Sequence, residues 1–521
     1  MQIVNRAVEL LALAPLHPYV GDTRTSLENT MRTARFQHSY ASLPEQLYAH
    51  TDPSPVSAPH LLELNESLAV ELGLDIDWLR SPDGIEMLAG SRFPDDVRPI
   101  AQAYAGHQFG NFVPQLGDGR ALLVGELLDS SGQLRDLQLK GSGPTRFSRN
   151  GDGRAALGPM MREYIVSEAM QALGVPTTRT LSLVATGEQV YRETKLPGAL
   201  IARVAASHIR VGTFQYLAVR EDLAGLKALA DYSIARHYPH LADTRAPYLG
   251  LLEEVVAAQA KLVAQWMLVG FIHGVLNTDN VAISGETIDY GPCAFMDAYH
   301  PATVFSSIDR QGRYAYVNQP RITVWNLARL AEALLPILSD DADGADEALE
   351  QAKAAIGKFQ AFYEVAFHEG IRHKIGLFSE QPGDLDLAAE LLDLMARNGA
   401  DFTLTFRDLA HEIDGPGVVR NHFIDPTAFD GWATRWRERL AREPENAHNR
   451  AGRMRAVNPK YIPRNHRVEA AIVAATDNGD FGPFRKLLSV LAHPFREQPE
   501  MEEYAQPPAN EERVLQTFCG T

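Results

Sequence analysis

From Ala121 onward, apolar positions along this chain recur first as strands and then with a period of three to four. The apolar run Ala121 to Val124, the turn Ser130-Ser131-Gly132 and the stretch Leu134 to Lys140 predict a hairpin. In its second strand Leu137 and Leu139 share one face, and Gln138 and Lys140 share the other. The period then lengthens. A helix is predicted over Pro159 to Leu173, opened by proline and closed by Gly174, with Glu163, Val166 and Met170 on one stripe. Val256, Ala260, Val263 and Met267 predict another helix, which Gly270 ends. Helices are also predicted over Val4 to Ala14, Leu61 to Leu74 (Leu62, Leu68 and Leu72 among its apolar positions) and 221–245. Downstream they are predicted over Ile322 to Leu338, Asp346 to Glu369, Asp384 to Asn398, Pro426 to Arg442 and Val468 to Ala475. The prolines between Thr51 and Pro59 keep that segment extended or turned. Strands followed by helices make an α+β protein.

At 521 residues the chain exceeds what one core usually supports, so two or more lobes are expected. The expected divisions are an accessory segment 1–95, a small β-rich lobe 96–215, a large helical lobe 216–445 and an extension 446–521. Charge narrows the partners: 49 Lys and Arg against 66 Asp and Glu give a net −17, which repels phosphate backbones and argues against nucleic acid. Two cysteines, Cys293 and Cys519, are too few for a disulfide scaffold and fit a reducing cytoplasm. The most apolar stretch, Val255 to Leu276, is interrupted by Gln259, Lys261, Gln265 and His273, so no membrane span is expected, and Met1 to Pro15 lacks a targeting pattern. His368 and His373 match no zinc spacing.

The chemistry centres on Phe271 to Pro292, F-I-H-G-V-L-N-T-D-N-V-A-I-S-G-E-T-I-D-Y-G-P. A hairpin turning at Gly285 is expected to bring its ends together. Asn280 and Asp289 then offer hard oxygen ligands to a Mg²⁺ whose remaining positions are taken by phosphate and water. Protein kinases space the same groups as H-R-D-x-x-x-x-N followed by D-F-G. His273 and Asn280 keep that separation, and Asp289-Tyr290-Gly291 stands in place of D-F-G. The slot of the catalytic aspartate holds Val275, which can take no proton; Asp279 is the nearby carboxylate that can.

Upstream, Gly117-Asp118-Gly119-Arg120 and the strand ending at Lys140 have the layout of a kinase small lobe. Glu163 is the first choice as ion-pair partner of Lys140, with Glu168 the alternative. The glycine- and arginine-dense loop 141–154 suits phosphate clamping, and Arg203 and Arg210 add two more planar cations.

Lys140-Gly-Ser-Gly-Pro-Thr-x-Phe-Ser, Asp152-Gly-Arg-Ala, Arg162-Glu-Tyr, H-G-V-L-N-T-D-N, Asp289-Tyr-Gly-Pro and Asn458-Pro-Lys-Tyr together closely resemble the selenoprotein O family, also called YdiU-like proteins. The likeness runs from near Phe36 to the C-terminus. It implies a protein-kinase-like bilobal fold and transfer of AMP from ATP, bound in reverse relative to a kinase, to Ser, Thr or Tyr hydroxyls of proteins, with Mg²⁺ or Mn²⁺. By motif match it implies nucleotide contacts at Gly117, Gly119, Arg120, Lys140, Asp152, Gly153, Arg203 and Arg210. Asp279 matches the proton acceptor, and Asn280 and Asp289 the metal ligands. Cys519 lies where many relatives carry selenocysteine, so pairing with Cys293 as a redox switch stands beside two unrelated thiols. A kinase and an inactive nucleotide-binding scaffold are the competing activities.

Overall fold

The computed structural model describes residues 35–339, 344–414 and 417–518; the helix expected at Val4 to Ala14 and the thiol of Cys519 lie outside them. The strands are β1 (Tyr48–His50), β2 (His60–Leu64), β3 (Ile100–Gln102), a short hairpin β4 (Gly106–Gln108) and β5 (Asn111–Val113), β6 (Ala121–Leu128), β7 (Leu134–Lys140), the two-residue β8 (Ala155–Ala156), β9 (Arg179–Tyr191) and β10 (Lys195–Ala205). All except β4 and β5 join one antiparallel sheet, in the order β1-β3-β6-β7-β10-β9-β2, with β8 beside β10. Residues 1–95 thus supply both of its edges.

The alternation in β7 sets the orientation of this sheet. Leu137 and Leu139 pack with Val124, Leu127 and Leu200 against three short helices, α1 (Glu66–Glu71), α2 (Ile76–Leu79) and α3 (Pro82–Leu88). Gln138 and Lys140 are buried on the opposite face. Residues 61–64 are not helical as expected but pair with β9. Leu62 and Leu64 satisfy either period, and Asn65 decides the boundary: its side chain accepts from the amide of Leu68 and starts α1 only there.

Helix α4 (Leu157–Ala172) packs on the Lys140 face of the sheet, against Leu183 and Ile201 of β9 and β10, beginning slightly ahead of the expected Pro159. The helical part opens with α5 (Val211–Ala218), α6 (Leu223–His237) and α7 (Pro247–Val269), the last ended by Gly270 with φ +73°. It continues with α8 (Gln319–Leu338), α9 (Ala345–Lys374), α10 (Asp384–Asn398), α11 (Phe402–Leu409), α12 (His411–Asp414), α13 (Pro426–Leu440), α14 (Ala447–Val457), α15 (Asn465–Asn478) and α16 (Gly482–Leu491). A sheet-rich N-terminal part and a helical C-terminal part make the molecule α+β and roughly bilobal. Among the described residues no helix is long and apolar enough to cross a membrane.

The stretch around Asp289 differs from the expected hairpin. Ala282 bridges Arg210 and Thr287 bridges Thr177, so the segments on either side of Gly285 pair with other parts of the chain. The ends are gathered instead by β11 (Phe271–Ile272) and β12 (Ala294–Phe295), which pair antiparallel outside the stretch.

Candidate active site

The polar face of β7 delivers Lys140 into a cleft of about 870 Å³ between the sheet and the helical part. Its ammonium lies 2.5 Å from Glu163 Oε2 and 2.6 Å from Asp289 Oδ1. Glu168, the alternative partner, is taken by Arg179. Arg203 comes from β10, next to β7, and donates to Asp289 at 2.9 Å, to Glu163 at 3.3 Å and to Gln138. Arg210 caps α5, lies 3.5 Å from Asp289 Oδ2 and sits over the ring of Tyr104 at 4.4 Å. Three buried cations thus converge on Asp289, and their planar or multivalent N–H donors are the groups a polyphosphate could take over from it. Burial pushes the Asp289 carboxyl up, but Lys140, Arg203 and Arg210 outweigh it and hold the group well below the usual carboxylate range. Asp289 also has φ +66°, a left-handed conformation tolerated by Asp better than by most residues.

His273 is wholly buried, with Nε2 2.9 Å from the carbonyl of Ile288, so it ties this loop to the residue before Asp289. Burial lowers its pKa. Neutral, it donates Nε2–H to that carbonyl and acts as a brace. Val275 lines the cleft. Asp279 also lines it; its Oδ1 is buried without a hydrogen-bond partner, and Oδ2 lies 3.5 Å from Gln108 Nε2. Burial raises this carboxyl to about 6, against the lowering charge of Arg210. A carboxylate with a free oxygen and raised basicity can accept a proton.

The loop 141–154 closes at its base, where Gly143 N donates to Gly153 O at 3.0 Å. A Cβ at Gly153 would lie 2.1 Å from the Gly143 backbone, so only glycine allows this approach. Gly117, Gly119, Arg120, Asp152 and Gly153 all line the cleft, with Asp152 held by Arg192 at 2.9 and 3.2 Å. The twelve residues singled out in the sequence thus share one cavity wall. Buried nitrogens without hydrogen-bond partners remain on Arg203 (Nε), Arg210 (Nη2), Arg154 (Nη1) and Arg192 (Nε).

Several lining residues escaped the sequence. Asp118 accepts from Gln102 N at 3.1 Å and Gln138 Nε2 at 3.0 Å, and approaches Arg210 at 3.9 Å. Its signal was the Gly-Asp-Gly context. Tyr104 and Arg192 had none, because they reach the cleft only through the packing of β3–β4 and the end of β9.

Asn280 and Asp289, the two expected metal ligands, both line the cleft. Asn280 commits its amide nitrogen to the carbonyl of Val275 at 2.9 Å, so its oxygen is the atom left for a ligand, whereas Asp289 meets Lys140 and Arg203 through Oδ1 and would share its carboxylate between them and a cation. Among the described residues no group of three or more His, Cys, Asp or Glu is gathered to hold a metal, so phosphate and water oxygens would complete the shell.

Residues 30–492 match the model of the family described as protein adenylyltransferase SelO. The chain is 61% identical over 489 residues to protein nucleotidyltransferase YdiU of Rhodopseudomonas palustris (strain BisB18), covering 93% of this chain and 99% of the relative. It is 61% identical over 488 residues to the protein of the same name from Bradyrhizobium diazoefficiens, with the same coverage. Matches of this extent, spanning the cleft and both structural halves, make the chain a member of the protein adenylyltransferase SelO family.

Proposed function

We propose that the cleft binds ATP and transfers its adenylyl group to a Ser, Thr or Tyr hydroxyl of another protein, releasing pyrophosphate. The observation that carries this reading is the convergence of Lys140, Arg203 and Arg210 on Asp289, in a cleft where Val275 replaces the kinase base and Asp279 keeps an unpartnered buried oxygen. Family membership and relatives named protein nucleotidyltransferase support it. The architecture is read as protein-kinase-like, with a small lobe 96–215, a large lobe 216–445, and accessory segments 1–95 and 446–521.

In this reading Lys140, Arg203, Arg210 and Arg120, with the backbone at Gly117, Gly119 and Gly153 and the Asp152 carboxylate, position the nucleotide in reverse. Glu163 fixes the Lys140 ammonium. The acceptor hydroxyl attacks the α-phosphorus as its bond to the bridging oxygen of the β-phosphate breaks, and the hydroxyl proton passes to Asp279. Asn280 and Asp289 would hold Mg²⁺ or Mn²⁺, which neutralises phosphate charge when bound. The arginines stabilise charge building on the phosphate oxygens, each contributing on the order of 10²–10³ in rate by analogy with oxyanion-hole donors. Scarce cysteine keeps the cytoplasm as the proposed compartment.

ATP labelled at the α- or the γ-phosphate tests the reading. Protein-bound label from the α-position is expected; label from the γ-position alone marks a kinase, and nucleotide binding with neither label marks an inactive scaffold.

A further inference from the structure

Helix α4 is buried on both sides, and only one side faces the cleft. There Glu163 reaches Lys140 and Arg203. On the other, Leu157, Met161, Tyr164 and Ile165 share an apolar cluster with Tyr461, Val468, Ala471, Phe484 and Leu487 of the C-terminal segment. The approach is close: a Cβ on Gly158 would lie 3.0 Å from Ile472 Cγ2. Arg162, the neighbour of Glu163, is buried and pairs with Glu469, while its other nitrogen lies 3.5 Å from Asn465 Oδ1. The same segment is fixed to the helical part. Arg464, immediately before α15, is fully buried, 2.5 Å from Asp297, 2.7 Å from Asp401 and 2.9 Å from the carbonyl of Ala505.

We infer that α15 and α16 form a resident clamp that holds α4 at the depth where Glu163 meets Lys140, with Arg162 and Glu469 as its positioning ion pair. The segment joins the two parts: Arg464 roots it beside Asp297 and Asp401, and its apolar face presses on α4. A helix free to rotate or withdraw would carry Glu163 away from Lys140, and the ammonium would then be drawn to Asp289 alone. The consequence for catalysis rests on the proposed role of Lys140 in ordering ATP.

Glu469 suits the test because its side chain is 40% exposed, so replacing it leaves the core intact. In the full-length protein, Glu469→Ala is expected to lower kcat for AMP transfer about tenfold, Glu469→Lys to lower it further and Glu469→Gln, which keeps a hydrogen bond, to stay within about threefold. KM for the acceptor protein is expected to stay unchanged. Hydrogen exchange of amides 157–172 in nucleotide-free protein is expected to quicken in the Lys variant, with β6 and β7 protected as before. Unchanged kcat or unchanged exchange in Glu469→Lys overturns the clamp. The exchange readout needs no catalysis: if the wild type transfers no AMP, the proposed function falls, and exchange alone then decides the clamp.

Discussion

Replacing Asp279 with Asn separates catalysis from stability, because the structure predicts opposite effects on each. Its carboxyl is raised from 3.8 to about 6, mainly by burial. For an acid raised in the folded state, the native protein holds a proton that the unfolded chain has already lost. Stability therefore falls as pH climbs from about 4 to about 6, and the loss persists above that range. The ionised group costs about 3 kcal/mol at pH 7.5 by this reckoning. Asn has nearly the same shape and no charge to bury, so the variant should melt a few degrees higher in nucleotide-free buffer with chelator. Loss of a proton acceptor should meanwhile slow AMP transfer by roughly 10²–10⁴. ATP affinity should change little, since the phosphate-binding cations are untouched. Single-turnover transfer, thermal melting and nucleotide titration read the three quantities. Transfer within threefold of wild type would refute the proton-acceptor role, and a lower melting point would refute the burial argument.

Asp289→Ala should abolish transfer and Mg²⁺-dependent ATP binding, and lower the melting point, since it leaves Lys140 and Arg203 without a carboxylate they share; wild-type binding by fluorescence titration with Mg²⁺ contradicts the metal assignment. Glu286 is raised by burial from 4.5 to about 7, so wild-type stability should fall by on the order of 3 kcal/mol as pH rises between those values. Glu286→Gln should subtract that contribution from denaturation midpoints between pH 4.5 and 7, leaving the fall due to Asp279 below about pH 6, and parallel slopes contradict it. Lys374 is buried, its ammonium 4.4 Å from the Phe406 ring centre and 5.5 Å from that of Phe402, and burial lowers it from 10.5 to about 7. Here the unfolded chain holds the proton, so stability should rise with pH from about 7 to 10. Lys374→Met should raise the melting point at pH 7, less the ~1–2 kcal/mol the rings return through cation–π attraction; a lower melting point contradicts this.

Much of this was legible where local chemistry and tertiary demand agree. The alternation of Leu137 and Leu139 with Gln138 and Lys140 fixes which face of β7 meets the core and which meets the cleft. The stripe before Gly270 likewise gives α7. Legibility failed where two periods fit, as at Leu61 to Leu64, and where pairing is distant. Nothing local in Val281 to Ile288 says that its bridges go to Arg210 and Thr177. The long strand β9 and the β4–β5 hairpin carry no turn signal that outweighs their surroundings, so nothing local marks Tyr104, Gln108 and Arg192 as cleft residues. The twelve candidate residues were found because their spacing follows a motif, while their meeting in one cavity depends on β7, β10, α4 and α5 packing together.

The most direct measurement is the intact mass of an acceptor protein after incubation with this enzyme, ATP and Mg²⁺, beside a reaction with Asp279→Asn. A gain of one or more adenylyl groups is expected with wild type and almost none with the variant. A gain of phosphoryl groups instead, or equal adenylylation by both proteins, would contradict it.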